Sequence, residues 1–169
     1  ESIERAQSAL ENTILRIDNV LHSVEIAIQN QSWMVKENLE HPEMLYAFTE
    51  HIVQNNDFIA GSAIAFEPHY YKEYGLFFSP YSYREGGEVK SKQLGTTDYN
   101  YHFMDWYQIP KLLKKPCWSE PYFDEVGADV LMTTYSIPLY DAQGKMFAVF
   151  TADISLEWFA EKINEIKAY

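Results

Sequence analysis

Asp153 interrupts the run Val149-Phe150-Thr151-Ala152-Asp153-Ile154, whose other members are apolar or small. An isolated ionised carboxylate is costly to desolvate, so this residue needs either the end of its strand or a cationic partner. One chemistry it can perform is to hold an ammonium group, with charge pairing reinforced by cation–π attraction if Trp and Tyr rings wall the same pocket. Such rings crowd one stretch: Tyr99, Trp106, Tyr107, Trp118 and Tyr122, together with a second carboxylate, Asp124. The alternative for Asp153 is to cap the closing helix or accept from backbone amides, a role for which Ser155 is equally well placed. Aromatic clusters also pack plain cores.

Other chemistries find little support. The chain has no GxGxxG, P-loop, HExxH or GxSxG motif. Its five histidines, His22, His41, His51, His69 and His102, fall on different elements without metal-ligand spacing, and Cys117 reads as a packed thiol. Glu120, Asp124, Glu125 and Asp129 crowd one loop but lack the alternating oxygens and central glycine of a calcium loop, which favours a solvated acidic segment. No metal and no cofactor are expected. With 25 acidic against 13 basic residues and a formal charge of −12, the chain repels phosphate backbones and anionic lipid. Its 169 residues, 47% hydrophobic and 16% aromatic, suit one packed domain.

The elements that must position these residues follow from periodicity. Ile3, Ala6, Leu10, Ile14, Ile17, Leu21, Val24 and Ile28 recur at steps of three and four, the stripe of one long helix over residues 1–32 that serves as core face, dimer seam, or both on different turns. A second helix is expected over 36–55, restarted at Pro42. Phe58 to Phe66 suits a buried strand, and Leu76–Tyr83 with Glu88–Leu94 a hairpin around Gly86-Gly87. Asp105 can cap a short helix through Leu113, within a crossover. Val130–Leu139 and Met146–Ile154 form a second hairpin, and Ser155 caps a closing helix over 155–169. This order predicts an α+β fold: one antiparallel sheet of about five strands with helices largely on one side, the other face left to loops and a ligand.

Four runs, Asp105-Trp106-Tyr107, Trp118-Ser119-Glu120-Pro121-Tyr122-Phe123-Asp124, Met132-Thr133-Thr134-Tyr135-Ser136-Ile137-Pro138-Leu139 and Ala152-Asp153-Ile154-Ser155-Leu156, resemble a Cache sensor domain in their order and spacing. The likeness is greatest to the membrane-distal unit of double-Cache domains. It implies a PAS-like sheet packed on a long N-terminal helix that rises from a transmembrane segment, with residues 33–154 as the sensing unit. The closing helix would return to the membrane or enter a second unit. It also implies an extracytoplasmic location in a transmembrane receptor, a homodimer through the N-terminal helix, and a cytoplasmic output such as a histidine kinase.

In amine- and amino-acid-binding members of that family a Tyr, an Arg, a Trp-Tyr pair and a late Asp form the pocket. Tyr99, Trp106, Tyr107 and Asp153 match these, with Tyr122 and Asp124 placed on the rim by the same resemblance. The Arg position holds Met104. Met104 cannot grip a carboxylate, so the resemblance implies an amine without an α-carboxylate, unless His102 or Lys111 reads that group. Two other readings remain at this level. One is a ligand-free dimerisation module of the same fold; the other is an enzyme using Asp124 and Asp153 as an acid–base pair, which needs both in one cleft.

Overall fold

The computed structural model describes residues 1–124 and 130–165. Glu125 and Asp129 of the acidic loop lie outside them. Helix α1 (Ser2–Glu37) opens the chain and runs past residue 32. A short 3-10 turn at Pro42–Met44 leads into α2 (Leu45–Gln54), the fresh start that a first-turn proline favours. Then come β1 (Gly61–Phe66), β2 (Pro80–Glu85), β3 (Glu88–Gln93), α3 (Asp105–Leu113), β4 (Cys117–Trp118), β5 (Tyr122–Phe123), β6 (Leu131–Tyr140), β7 (Met146–Ser155) and α4 (Leu156–Glu165).

All the pairings are antiparallel and the sheet runs β3-β2-β1-β7-β6-β4, with β5 also on β6. The five long strands are those legible in the sequence; β4 and β5, two residues each, bring the sheet to seven. Strands β1 and β7 are central and buried throughout. Their near-continuous apolar runs follow, because a strand covered on both faces loses its polar alternation.

Two cores result. On one face Ile64, Phe66, Tyr135, Ile137, Phe150, Ala152 and Ile154 pack with Val24, Ile28 and Val35 of α1 and Leu45, Phe48 and Ile52 of α2. On the other, Ala63, Ala65, Tyr81 and Val149 pack with Tyr101, Trp106 and Tyr107 from the crossover. The alternation that sends Ala152 and Ile154 to the helical face sends Asp153 to the crossover face.

Helix α1 divides lengthwise. Val24, Ile28 and Val35 are buried, whereas Ile3, Leu10 and Ile14 of the same stripe are exposed. Two polar contacts fix its packed part to the sheet: Gln29 Nε2 donates to Tyr135 Oη at 3.0 Å, and Trp118 Nε1 donates to Glu25 Oε1 at 2.8 Å. Trp118 therefore belongs to the α1 side and not to the aromatic wall around Asp153.

Two expected caps differ in outcome. Asp105 is the first residue of α3 and Met104 its N-cap, with no side-chain cap bond, so the aspartate adds only favourable charge in the first turn. At α4, Ser155 Oγ accepts from Trp158 N at 3.4 Å, as a cap should.

Arg84 of β2 ties the end of α2 to the sheet. Its guanidinium donates to the carbonyls of Val53, Asn56 (3.2 Å) and Ile59 (3.1 Å). Arg84→Met keeps the apolar stem and removes these charge-assisted bonds; it is expected to cost about 2–3 kcal/mol, seen as a drop of several degrees in the thermal midpoint. An unchanged midpoint would assign the α2 terminus to packing alone.

Candidate functional site

Strand alternation aims Ala63 of β1, Tyr81 of β2, Met132 of β6, and Thr151 and Asp153 of β7 at one point beneath the crossover. Leu94, Tyr99, Trp106 of α3, Tyr122 of β5 and Asp124 complete a partly open cavity with about 20 Å³ of free space, room for a water molecule or an ammonium-sized group. Two carboxylates and three phenols face it, and none of the described residues that line it is Lys, Arg or His.

Asp153 is the centre of this arrangement. Thr134 Oγ1 donates to its Oδ1 at 2.8 Å. Tyr122 Oη lies 2.6 Å from that same Oγ1. With Asp153 ionised, the one Thr134 proton is committed to the carboxylate, so the Tyr122 proton must go to Thr134. The other carboxylate oxygen, Oδ2, leans over β1, where Gly61 is its register partner. A Cβ on Gly61 would sit 2.8 Å from Asp153 Oδ2 and 3.0 Å from Tyr81 Oη. Trp106 Nε1 donates to Tyr99 Oη at 3.3 Å, setting the edge of the indole.

Burial pushes the Asp153 carboxyl from 3.8 up to about 7; the Thr134 hydrogen bond pulls it down, and the charge of Asp124 raises it. The surrounding phenols respond in the same sense. Burial raises Tyr99 to about 12 and lifts Tyr81 and Tyr122 well above their ordinary values, with the charges of Asp153 and Asp124 adding to each. A bound cation would relieve the cost of keeping the Asp153 carboxylate ionised at this buried place. Thr134→Val removes the hydrogen bond that holds Asp153 down. Its carboxyl is then expected to titrate about one unit higher, followed by carbon-detected NMR of the side chain; an unmoved titration would show that the hydroxyl is not its donor in solution.

Five of the six residues singled out from the sequence, Tyr99, Trp106, Tyr122, Asp124 and Asp153, line this cavity. Tyr122 and Asp124 are wall rather than rim: Asp124 is only 8% exposed, which corrects its reading as part of a solvated loop. Tyr107 is not in the lining. Fully buried, it packs between Tyr101, His102 and Trp106, with the Lys111 ammonium 5.9 Å from its ring. The helical repeat explains this, since neighbours on α3 point about 100° apart and only Trp106 can face the sheet at that place.

His102 and Lys111 are also elsewhere. His102 Nε2 contacts Phe66 O at 3.1 Å, and Lys111 pairs with Glu67 Oε1 at 2.6 Å, so neither is a cavity cation. Met104 packs against the crossover core and leaves the cavity without an arginine. Asp153 does not cap α4. Sequence reasoning missed Tyr81, Thr151 and Gly61. The alternation Tyr81-Ser82-Tyr83 in β2 was a usable signal for Tyr81, whereas Gly61 is informative only once its register with Asp153 is known.

An antiparallel sheet on a long helix, with a small cavity under the crossover, defines a sensor-type module of the PAS-like class. Residues 45–161 match the family of methyl-accepting chemotaxis protein-like, first PDC sensor domains, and the chain belongs to that family. Among known proteins, the methyl-accepting chemotaxis protein TlpQ of Pseudomonas aeruginosa is 44% identical over 52 residues, 30% of this chain and 7% of TlpQ.

The extracellular domain of soHK1S-Z6, named as a histidine kinase, superposes with a TM-score of 0.77 at 30% identity, over 90% of this chain and 59% of that one. The ligand-binding domain of the amino acid chemoreceptor PctB of Pseudomonas aeruginosa PAO1, solved with L-Gln, shares the fold at TM-score 0.65 and 18% identity, over 90% of this chain and 55% of that one. The chain thus spans a small fraction of TlpQ and rather more than half of each structural relative.

Proposed function

We propose that this domain is the extracytoplasmic sensing unit of a transmembrane receptor and that its ligand is a small amine seated on Asp153. The observation that carries the reading is the buried carboxylate of Asp153 in the wall of a cavity lined by Trp and Tyr rings, with no Lys, Arg or His among the described residues that line it. An ammonium group supplies the missing charge, donates N–H bonds to Asp153 Oδ2 and the phenol oxygens, and meets the Trp106 and Tyr99 rings. The absence of a lining arginine argues against a ligand α-carboxylate. PctB was solved with an amino acid, which supports small nitrogenous compounds as the ligand class.

Binding reaches α1 through β6. Thr134 faces the cavity and contacts Asp153 and Tyr122, while its neighbour Tyr135 faces the helices and accepts from Gln29. A ligand that prefers one setting of β6 shifts α1 by that difference in affinity. The exposed stripe Ile3, Leu10 and Ile14 suits a homodimer seam along the same helix, with a kinase or chemotaxis transducer as the output.

The test is a thermal-shift series at pH 8 with butylamine, its N-methylated derivatives up to butyltrimethylammonium, and butyrate. A ligand that binds only the folded state raises the midpoint by mass action. The largest rise is expected for the primary amine, with stepwise loss as methyl groups replace N–H donors in a cavity this small. A rise with butyrate alone would overturn the ligand class. No rise with any of these would favour a ligand-free dimerisation module.

A further inference from the structure

A second concavity, sharing no residue with the Asp153 cavity, lies between the start of α2, the turn Lys72–Tyr74 and the end of β3. Its open volume is about 490 Å³, within the range of small-molecule sites. The walls are rings. Tyr74 stacks on Phe78 with centroids 4.2 Å apart and planes at 10°, Tyr46 meets Phe78 edge-on at 6.5 Å, and Phe77 also contributes to the lining.

Two carboxylates, Glu43 and Glu73, join these rings from separate segments of the chain. Both lie near enough to the Tyr71 hydroxyl for their charges to disfavour its ionisation, and that hydroxyl already donates to Leu39 O at 2.7 Å. Among the described residues no Lys or Arg pairs with either carboxylate. The ion-pair partner of Glu43 is His41, whose Nδ1 is 3.6 Å away with both side chains well exposed. Each acid is locally favourable in the first turn of its short 3-10 segment, and beside an aromatic groove the two also attract a cation with apolar bulk, which gains from charge and rings together.

We propose that this groove is a second binding site, for a small organic cation of the quaternary ammonium type. Ring faces and edges take the methyl and methylene groups, and Glu43 and Glu73 supply the field. Such a cation is too large for the space beside Asp153, so the two sites divide cations by size.

The experiment titrates benzyltrimethylammonium into the Asp153→Asn chain, which removes the first site, and follows aromatic side-chain NMR signals. Saturable shifts are expected, weakened tenfold or more by Tyr74→Ala and restored to within twofold by Tyr74→Phe. The double change Glu43→Gln with Glu73→Gln should weaken binding and flatten its dependence on salt. Neopentylbenzene, the uncharged isostere, should bind far less. Absence of saturable binding, equal binding of neopentylbenzene, or indifference to Tyr74→Ala would each overturn the proposal.

Discussion

Replacing Asp153 by Asn is expected to abolish the amine-induced thermal shift while making the ligand-free domain more stable at pH 8. The folded state holds this proton up to about pH 7 against an ordinary value of 3.8, so folded protein binds more protons than unfolded protein between those limits. Stability therefore falls as pH rises from about 4 to 7 and stays low above. Each unit of the gap is worth about 1.4 kcal/mol, which sets a ceiling of roughly 4 kcal/mol. Asparagine resembles the neutral acid in shape and can still accept from Thr134, so the variant escapes that loss.

The ligand runs the other way. An ammonium needs the carboxylate ionised, so amine affinity should weaken about tenfold per pH unit below 7, roughly a hundredfold by pH 5. Calorimetric titrations at pH 5 and 8, with melting curves of both proteins, check these expectations together. A variant that binds butylamine as tightly as the parent would sink the assignment of Asp153. A variant no more stable at pH 8 would show that the buried carboxylate is already compensated.

Gly61→Ala is expected to be as damaging to binding as the loss of Asp153, though it removes no polar group. The added Cβ would lie 2.8 Å from Asp153 Oδ2, closer than real side chains come, and 3.0 Å from Tyr81 Oη, a tight contact. The strand backbone on either side is pinned by pairing to β2 and β7, so the carboxylate and the phenol must give way. Overpacking of this kind costs about 1–3 kcal/mol, and turning Oδ2 away from the cavity is expected to lower butylamine affinity at least tenfold. Titration of the folded variant at pH 8 measures it. Unchanged affinity would place the ammonium seat elsewhere on the cavity wall.

The residues that share a strand face were legible because alternation is a local rule. Asp153 stood out among apolar neighbours, and the same rule put Thr134 and Tyr135 on opposite sides of β6. The crossover was legible only in part. Trp118 and Tyr107 looked like pocket walls by type, but β4 pairing turns Trp118 to Glu25 of α1, and helical rotation buries Tyr107 behind Trp106. Asp124 read as solvated because its neighbours are acidic, and only the pairing of β5 with β6 brings it indoors. The short strands β4 and β5 carry no periodicity at two residues each, so tertiary pairing alone defines them.

The uneven burial of α1 has a mechanical consequence. Its packed portion begins near Leu21, and the remainder back to Ser2 spans about 29 Å at 1.5 Å per residue. That remainder is a lever arm whose fulcrum is the sheet. A tilt of about 2° at the Gln29 contact displaces the far tip by roughly 1 Å over such a length. In a receptor that works as proposed above, a cavity that changes shape by less than the width of an atom would move the helix tip by about an ångström, the scale of helix shifts in switching proteins, and stiffness along the arm would matter as much as affinity at Asp153.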